Sequence, residues 1–274
     1  MTIYRSAWLP FFAASVVLVT CAHLSGCASG SRGGLRSTGD DLPTQSDETD
    51  VRKRARIRLE LATTYYAQGQ LTTALDELKQ AVAIDPTLPA SHELRGLIYD
   101  AMGETALADE NFKKALSLDP HDGSVLHNYA WFLCRQGKFA AADAMFEQAL
   151  TWPRTIPTSK VLLARGVCQV NAGLYPEAEK TLLKSYEQDP SNPATAYNLA
   201  AVLFRRGDLN RALFYVRRVN SVPEQVSAQS LWLAIRIEHK LGNQKAQDEL
   251  ADQLRSRFVG SKEATSLELG HFDE

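Results

Sequence analysis

The 274-residue chain is poor in the residues and motifs on which most catalytic and metal sites depend. It has only four cysteines, and no two of them show the close CxxC spacing of a zinc or redox site. It contains no HExxH zinc motif, no GxSxG nucleophile elbow and no phosphate-binding glycine loop. We therefore expect no enzymatic activity, no cofactor and no metal site.

Basic residues are not in excess, with 30 lysines and arginines against 32 acidic residues. Proteins that bind nucleic acid usually carry a basic stripe or patch, so this balance argues against a nucleic-acid partner. We also expect no small-molecule substrate. The apolar run at residues 7–19 is too short for a comfortable membrane span, which needs about 20 residues.

The first 26 residues predict a sorting signal that is removed from the mature protein. Arg5 precedes the apolar run, and the segment holds no acidic residue. This order is typical of a secretory signal. The segment ends in Leu-Ser-Gly followed by Cys27, which resembles the bacterial lipobox. The resemblance implies that Cys27 is acylated, and acyl chains would anchor the protein stably to a membrane.

The residue after Cys27 is Ala28 rather than aspartate, which implies transport to the periplasmic face of the outer membrane. Two alternatives remain open. An ordinary secretory signal could be cut near Ala28, and Cys21 is a weaker lipidation candidate because Thr20 precedes it. Residues 27–50 are rich in glycine, serine, threonine and aspartate, and we predict that they form a disordered, lipidated tether.

Small residues recur along the remaining chain at a fixed period. Glycines recur every 34 to 36 residues, and each of the first five is followed five residues later by an alanine. The glycines are Gly69, Gly103, Gly137, Gly173, Gly207 and Gly242, and the alanines are Ala74, Ala108, Ala142, Ala178 and Ala212. This period is typical of a tetratricopeptide (TPR) array, in which helix-turn-helix units stack into a solenoid. We therefore predict an all-α, right-handed superhelical solenoid of about six units over residues 51–263.

The predicted units, numbered one to six along the chain, are 55–88, 89–122, 123–156, 159–192, 193–226 and 228–261. Unit six is degenerate, because it lacks the alanine at position 247 and has Glu238 where an apolar residue is usual. It is predicted to cap the array. Residues 264–274 are predicted as an acidic tail.

In a TPR array the first helix of each unit lines a concave groove with its positions 2, 5, 9 and 12. In this chain those positions are largely apolar or aromatic, so the groove suits an amphipathic helix or an extended apolar segment. Position 6, where TPR proteins that bind peptides often use asparagine, is Asn128 in unit three and Asn198 in unit five. The candidate groove residues are Arg56, Leu59, Tyr66, Leu97, Asp100, His127, Asn128, Trp131 and Asn198.

Cys134 and Cys168 lie on the first helices of successive units, which are neighbours in such an array. In the oxidising periplasm they are candidates for a disulfide bond. The alternative is two separate buried thiols, since cysteine is often buried and a bridge requires Cα atoms within about 7 Å.

Repeats three to five resemble those of the type IV pilus biogenesis and stability family PilF/PilW. The matching features are the Phe-Leu-Cys triplet that ends at Cys134 and the Gly-Val-Cys triplet that ends at Cys168. An irregular link that contains proline joins these two repeats, as in the family. The resemblance implies a six-repeat outer-membrane lipoprotein that acts as a pilotin, binding the secretin subunit and promoting its localisation and multimerisation.

In that family the N-terminal repeats are the expected secretin contact. The resemblance therefore favours Arg56, Leu59, Tyr66, Leu97 and Asp100, with Trp131 as an extension of the contact. The alternative function is a lipoprotein adaptor of another envelope machine, such as outer-membrane β-barrel assembly or peptidoglycan synthesis.

Overall fold

The computed structural model describes residues 49–152 and 156–272. Within these ranges it has thirteen α-helices and no strand, as the all-α prediction requires. The predicted signal, Cys27 and the tether as far as residue 48 lie outside the described residues. No helix in the described ranges is both long and apolar enough to cross a membrane.

Twelve helices form six consecutive antiparallel pairs, and a thirteenth follows them. They are α1 (Asp50–Ala67), α2 (Leu71–Ile84), α3 (Pro89–Ala101), α4 (Thr105–Leu118), α5 (Gly123–Arg135), α6 (Phe139–Thr151), α7 (Thr158–Asn171), α8 (Tyr175–Gln188), α9 (Pro193–Arg205), α10 (Leu209–Asn220), α11 (Ala228–Leu241), α12 (Gln244–Arg257) and α13 (Lys262–Leu269). Odd-numbered helices α1 to α11 are the first helices of units one to six.

The periodic glycines terminate the first helix of each unit. All six adopt a positive φ, between 72° and 82°, in the left-handed region that side chains with a Cβ atom disfavour. The chain can therefore reverse direction within a few residues and begin the second helix. Side chains also start several helices: Asp122 caps α5, Asn192 caps α9, and Ser227 caps α11 as part of a capping box with Ser230.

Small residues at position 8 of units one to five let the two helices of each unit approach closely. A Cβ atom added to Gly166 would lie 2.6 Å from Cγ of Leu182, and one added to Gly96 would lie 3.1 Å from the ring of Phe112. Neither distance leaves room for a methyl group without movement of the facing side chain. The pairing of a small residue in the first helix with a large apolar residue in the second therefore fixes the spacing within these units.

Apolar contacts between units join the pairs into a solenoid. Phe112, in the second helix of unit two, stacks on Tyr129 and packs against Phe132 in unit three, with ring centroids 5.5 Å apart in both contacts. Phe112 and Phe132 are almost completely buried. Contacts between units join mainly units that are consecutive in the sequence, as expected of a repeat array.

The polar residues that make unit six degenerate are buried and bonded. Glu238 is 1% exposed, and it accepts hydrogen bonds from Arg217 at 2.5 Å and from Asn243 at 2.7 Å. Gln247, which replaces the expected alanine, bonds to the ring of His239 at 3.2 Å. Polar pairs thus replace part of the apolar packing of the other units.

Two segments differ from the predicted boundaries. Helix α1 begins at Asp50, with Thr49 as its N-cap, so the end of the predicted tether belongs to the array. Residues 264–274 are not simply a tail, because α13 covers Lys262–Leu269 and buries Leu267 against the core of unit six.

Candidate peptide-binding groove

The first helices of units three, four and five line a shallow, open cavity of about 290 Å³ on the predicted concave face. Three predicted site residues, His127, Trp131 and Asn198, come together in its wall. The remaining lining residues all come from α7: Lys160, Leu163, Ala164 and Val167. The cavity is mainly apolar, with one exposed cation and one amide at its edge, which suits an apolar side chain of a bound segment.

The residues from α7 were not among the predicted site residues. Lys160, Leu163 and Val167 occupy positions 2, 5 and 9 of unit four, which the register of the repeats already assigns to the groove face. Their contribution depends on how far α7 lies from α5 and α9. That distance follows from packing between units and cannot be obtained from the sequence of one unit.

His127 is a buried residue of this wall. Its side chain is 7% exposed, packs edge-on against the ring of Phe146, and leaves Nδ1 without a hydrogen-bond partner. Burial and, secondarily, the charge of Lys160 lower the pKa of His127 to about 4. At neutral pH the ring is therefore uncharged and contributes no cation to the wall.

The two asparagines at position 6 make different contacts. The side chain of Asn128 donates a hydrogen bond to Glu93 in the preceding unit at 2.7 Å, and Ser124 donates to the same oxygen at 2.9 Å. Burial raises the pKa of Glu93, although both hydrogen bonds favour its charged form. Asn128, a candidate for holding a bound backbone, thus connects units two and three through its side-chain nitrogen. Asn198 donates to the carbonyl of Ala194 and lines the cavity.

The predicted contact residues in units one and two are largely engaged within the protein. Leu59, Tyr66 and Leu97 are partly buried and pack against the apolar core that these units share. Asp100 forms an ion pair with Arg135 of unit three. Arg56 is exposed on α1. The structure does not bring these residues into the central cavity, so they form a separate group toward the N-terminal end of the array.

Cys134 and Cys168 form a disulfide bond in the structure, with Cα atoms 5.8 Å apart. The bond connects α5 to α7, the first helices of units three and four. Both cysteines are less than 5% exposed. The bond therefore fixes the separation of two helices that line the cavity.

In the described ranges, no group of three or more His, Cys, Asp or Glu side chains could hold a metal ion.

Repeat profiles described as tetratricopeptide repeats match the chain from residue 62 to residue 223. The individual matches cover residues 62–103, 90–122, 111–144, 130–193 and 163–223. The chain belongs to the tetratricopeptide-repeat family. Proteins of this family mediate protein–protein interactions and are typically not enzymes. A comparison with curated protein sequences found no match.

Solved structures with the same fold include two proteins of pilus biogenesis. PilW, described as a widely conserved type IV pilus biogenesis factor, is 29% identical with a TM-score of 0.73, over 81% of this chain and 100% of PilW. PilF from Pseudomonas aeruginosa is 23% identical with a TM-score of 0.70, over the same shares of the two chains. The resemblance to PilW and PilF is thus confirmed.

A third structure shares only the fold. It is a tetratricopeptide repeat protein from Parabacteroides merdae, 18% identical with a TM-score of 0.56, over 80% of this chain and 83% of that chain.

Proposed function

We propose that this chain is a pilotin, a lipid-anchored adaptor that binds the secretin subunit of a type IV pilus and promotes its multimerisation in the outer membrane. The observation that carries the proposal is the similarity to the pilus biogenesis factor PilW, which extends over the whole of PilW. The cysteine triplets of units three and four support the same relationship.

The proposed anchor is the acylated Cys27, which follows the lipobox-like Leu-Ser-Gly sequence. Several buried acyl chains, each contributing about 0.8 kcal/mol per methylene, would hold the protein on the membrane. The predicted tether would then separate the membrane from the array. In this arrangement the protein takes part in binding and sorting, and we propose no catalytic step.

The central cavity is the proposed contact with the secretin segment. Binding energy in such interfaces is concentrated in a few buried aromatic or apolar anchors. Trp131, Leu163 and Val167 provide an apolar surface of this kind, and Lys160 and Asn198 can bond to a backbone or an acidic side chain at its edge. A helix or an extended segment could place one apolar side chain in the cavity.

The test is co-purification of secretin from detergent-solubilised envelopes with the full chain and with two cavity variants, Lys160→Glu and Val167→Glu. Both variants are expected to recover less secretin and to reduce secretin multimers. Lys184→Glu is the matched control, because Lys184 is exposed on α8 and does not line the cavity. Tyr66 and Leu97 are unsuitable for this test, because their substitution would also disturb the core of units one and two.

Recovery of secretin that is equal in all four proteins would contradict the proposed contact. Recovery of barrel-assembly or peptidoglycan-synthesis proteins without secretin would favour the alternative adaptor function. A second experiment tests the anchor, since Cys27→Ser should release the array from the outer-membrane fraction. If the variant remained in that fraction, the lipidation proposal would be wrong.

A further inference from the structure

The chain's own C-terminal residues lie on the groove side of unit six. After α13, Gly270 adopts a left-handed conformation with φ of 70°, and the amide of His271 donates to the carbonyl of Ser266 at 3.0 Å. The chain therefore reverses direction and places Phe272 against α11. We call residues 270–272 the terminal turn.

Phe272 makes three specific contacts with one stripe of α11. Its ring stacks on the ring of His239, with centroids 4.2 Å apart, and on the ring of Trp232, with centroids 5.6 Å apart. Its carbonyl oxygen accepts a hydrogen bond from Nε of Arg236 at 2.8 Å. An aromatic side chain and a backbone carbonyl are thus recognised together.

The stripe occupied by Phe272 is the groove-lining stripe of unit six. Trp232, Arg236 and His239 are positions 5, 9 and 12 of this unit, equivalent to the positions that line the groove elsewhere. A cavity of about 270 Å³ lies beside them and is also lined by Tyr197 and Phe204 from α9. The groove therefore continues into unit six, where α13 contributes to the wall of the cavity and the terminal turn covers the adjoining stripe of α11.

Charge around this second cavity favours an acidic ligand. Arg205, Arg236 and Lys262 line it, against a single acidic residue, Glu263, which is 7% exposed. In the sequence, Phe272 is followed directly by two acidic residues. The sequence that directly follows the stacked aromatic ring is thus acidic.

We propose that unit six carries a second peptide-binding site, which takes a partner segment with an aromatic side chain next to acidic residues. The terminal turn occupies this site until such a segment displaces it. The proposal is independent of which partner binds the central cavity. It goes beyond the pilotin function, because it assigns a ligand chemistry to a unit that the sequence predicts only as a cap.

A tethered occupant competes strongly with a ligand in solution. Short flexible connections give an effective concentration of the order of millimolar, so the terminal turn would mask the site from a weakly binding peptide. Removal of Phe272 should therefore increase the apparent affinity of the site for a free peptide. This effect distinguishes a binding site from a purely structural contact.

The experiment measures fluorescence anisotropy of a labelled peptide with the sequence SLELGHFDE, which corresponds to residues 266–274. It is titrated with the full chain, with a chain that ends at Gly270, and with full-length Phe272→Ala. The shortened chain retains α13. If shortening nevertheless disturbs the fold, the Phe272→Ala variant tests the same loss of the aromatic contact in a full-length chain. Circular dichroism checks both proteins. We expect each to bind the peptide at least tenfold more tightly than the unaltered chain.

Two further comparisons test the ligand chemistry. A peptide with alanine in place of phenylalanine should bind the shortened chain at least tenfold more weakly. Trp232→Ala in the shortened chain should cause a similar loss, whereas the control Trp152→Ala should not, because Trp152 stacks on His121 outside this groove stripe. Equal peptide affinity for the full chain and both opened chains would overturn the proposal, as would binding that does not depend on phenylalanine. Neither result would affect the secretin experiment.

Discussion

Loss of the disulfide between Cys134 and Cys168 should destabilise the middle of the array by a measurable amount. The two cysteines are 34 residues apart in sequence. In the chain-entropy description of a crosslink, a loop of this length contributes about 4 kcal/mol, mainly by restricting the unfolded chain. Since about 1 kcal/mol shifts the unfolding midpoint of a domain of this size by roughly 2–4 °C, we expect a decrease of roughly 8–16 °C.

The assay is thermal unfolding followed by circular dichroism for three proteins: the oxidised chain, the reduced chain and the double variant Cys134→Ala, Cys168→Ala. Both sulfur atoms are buried, so reduction should be carried out on the unfolded chain before refolding. The reduced chain keeps both cysteine side chains and loses only the bond. Comparison with the alanine variant therefore distinguishes the effect of the crosslink on stability from the effect of side-chain packing. Alkylation followed by mass spectrometry reports whether each thiol is free.

The unfolding of the reduced chain relative to the oxidised chain decides the outcome. If their midpoints agree within about 2 °C, the loop-closure reasoning is wrong for this array. A double alanine variant that melts well below the reduced chain would show that the lost side-chain contacts matter more than the bond. Because units in an array can unfold separately, the shape of each transition should be compared as well as its midpoint.

Gly166→Ala should destabilise the protein by about 1–2 kcal/mol in denaturant unfolding, because the new methyl group would collide with Leu182. The cost of this collision should exceed the stabilisation that the higher helix propensity of alanine provides. Gly96→Ala, with its longer 3.1 Å approach to Phe112, should cost less than half as much, and equal losses would contradict this packing argument. The pKa of His127 is lowered to about 4, so the unfolded chain takes up the proton first as the pH falls below about 6.5, and stability decreases down to about pH 4. The resulting loss in the free energy of unfolding is about 2 kcal/mol at pH 5 relative to pH 7. Parallel urea titrations of His127→Leu should lack this part of the pH dependence.

The helices and their pairing could be predicted because their signals are local. A glycine such as Gly137 ends one helix through its own backbone conformation, and the small residue at position 8 faces a large residue within the same unit. The glycine recurs in all six units and the small residue at position 8 in the first five, so a weak signal in one unit is supported by the others. The same register places Trp131 and Asn198 on the groove face, and both side chains line the central cavity.

The partners of individual polar side chains could not be predicted in this way. Asn128 has the residue type of a peptide-binding position, but it bonds to Glu93, whose side chain belongs to the preceding unit. Asp100 likewise forms its ion pair with a residue of another unit, Arg135 in unit three. Such pairs depend on the separation and rotation of neighbouring units, and a change of a few ångströms would separate the atoms.

The sequence by itself determined the repeat period, the two helices of each unit and the stripe of residues that can face the groove, because these follow from helix geometry and backbone preferences. Only the tertiary structure decided which stripe residues enclose a cavity and that Phe272 covers Trp232 and Arg236. The physical reason is that these contacts join residues more than 30 positions apart. Their formation depends on how the units stack, which is the combined result of packing along the array.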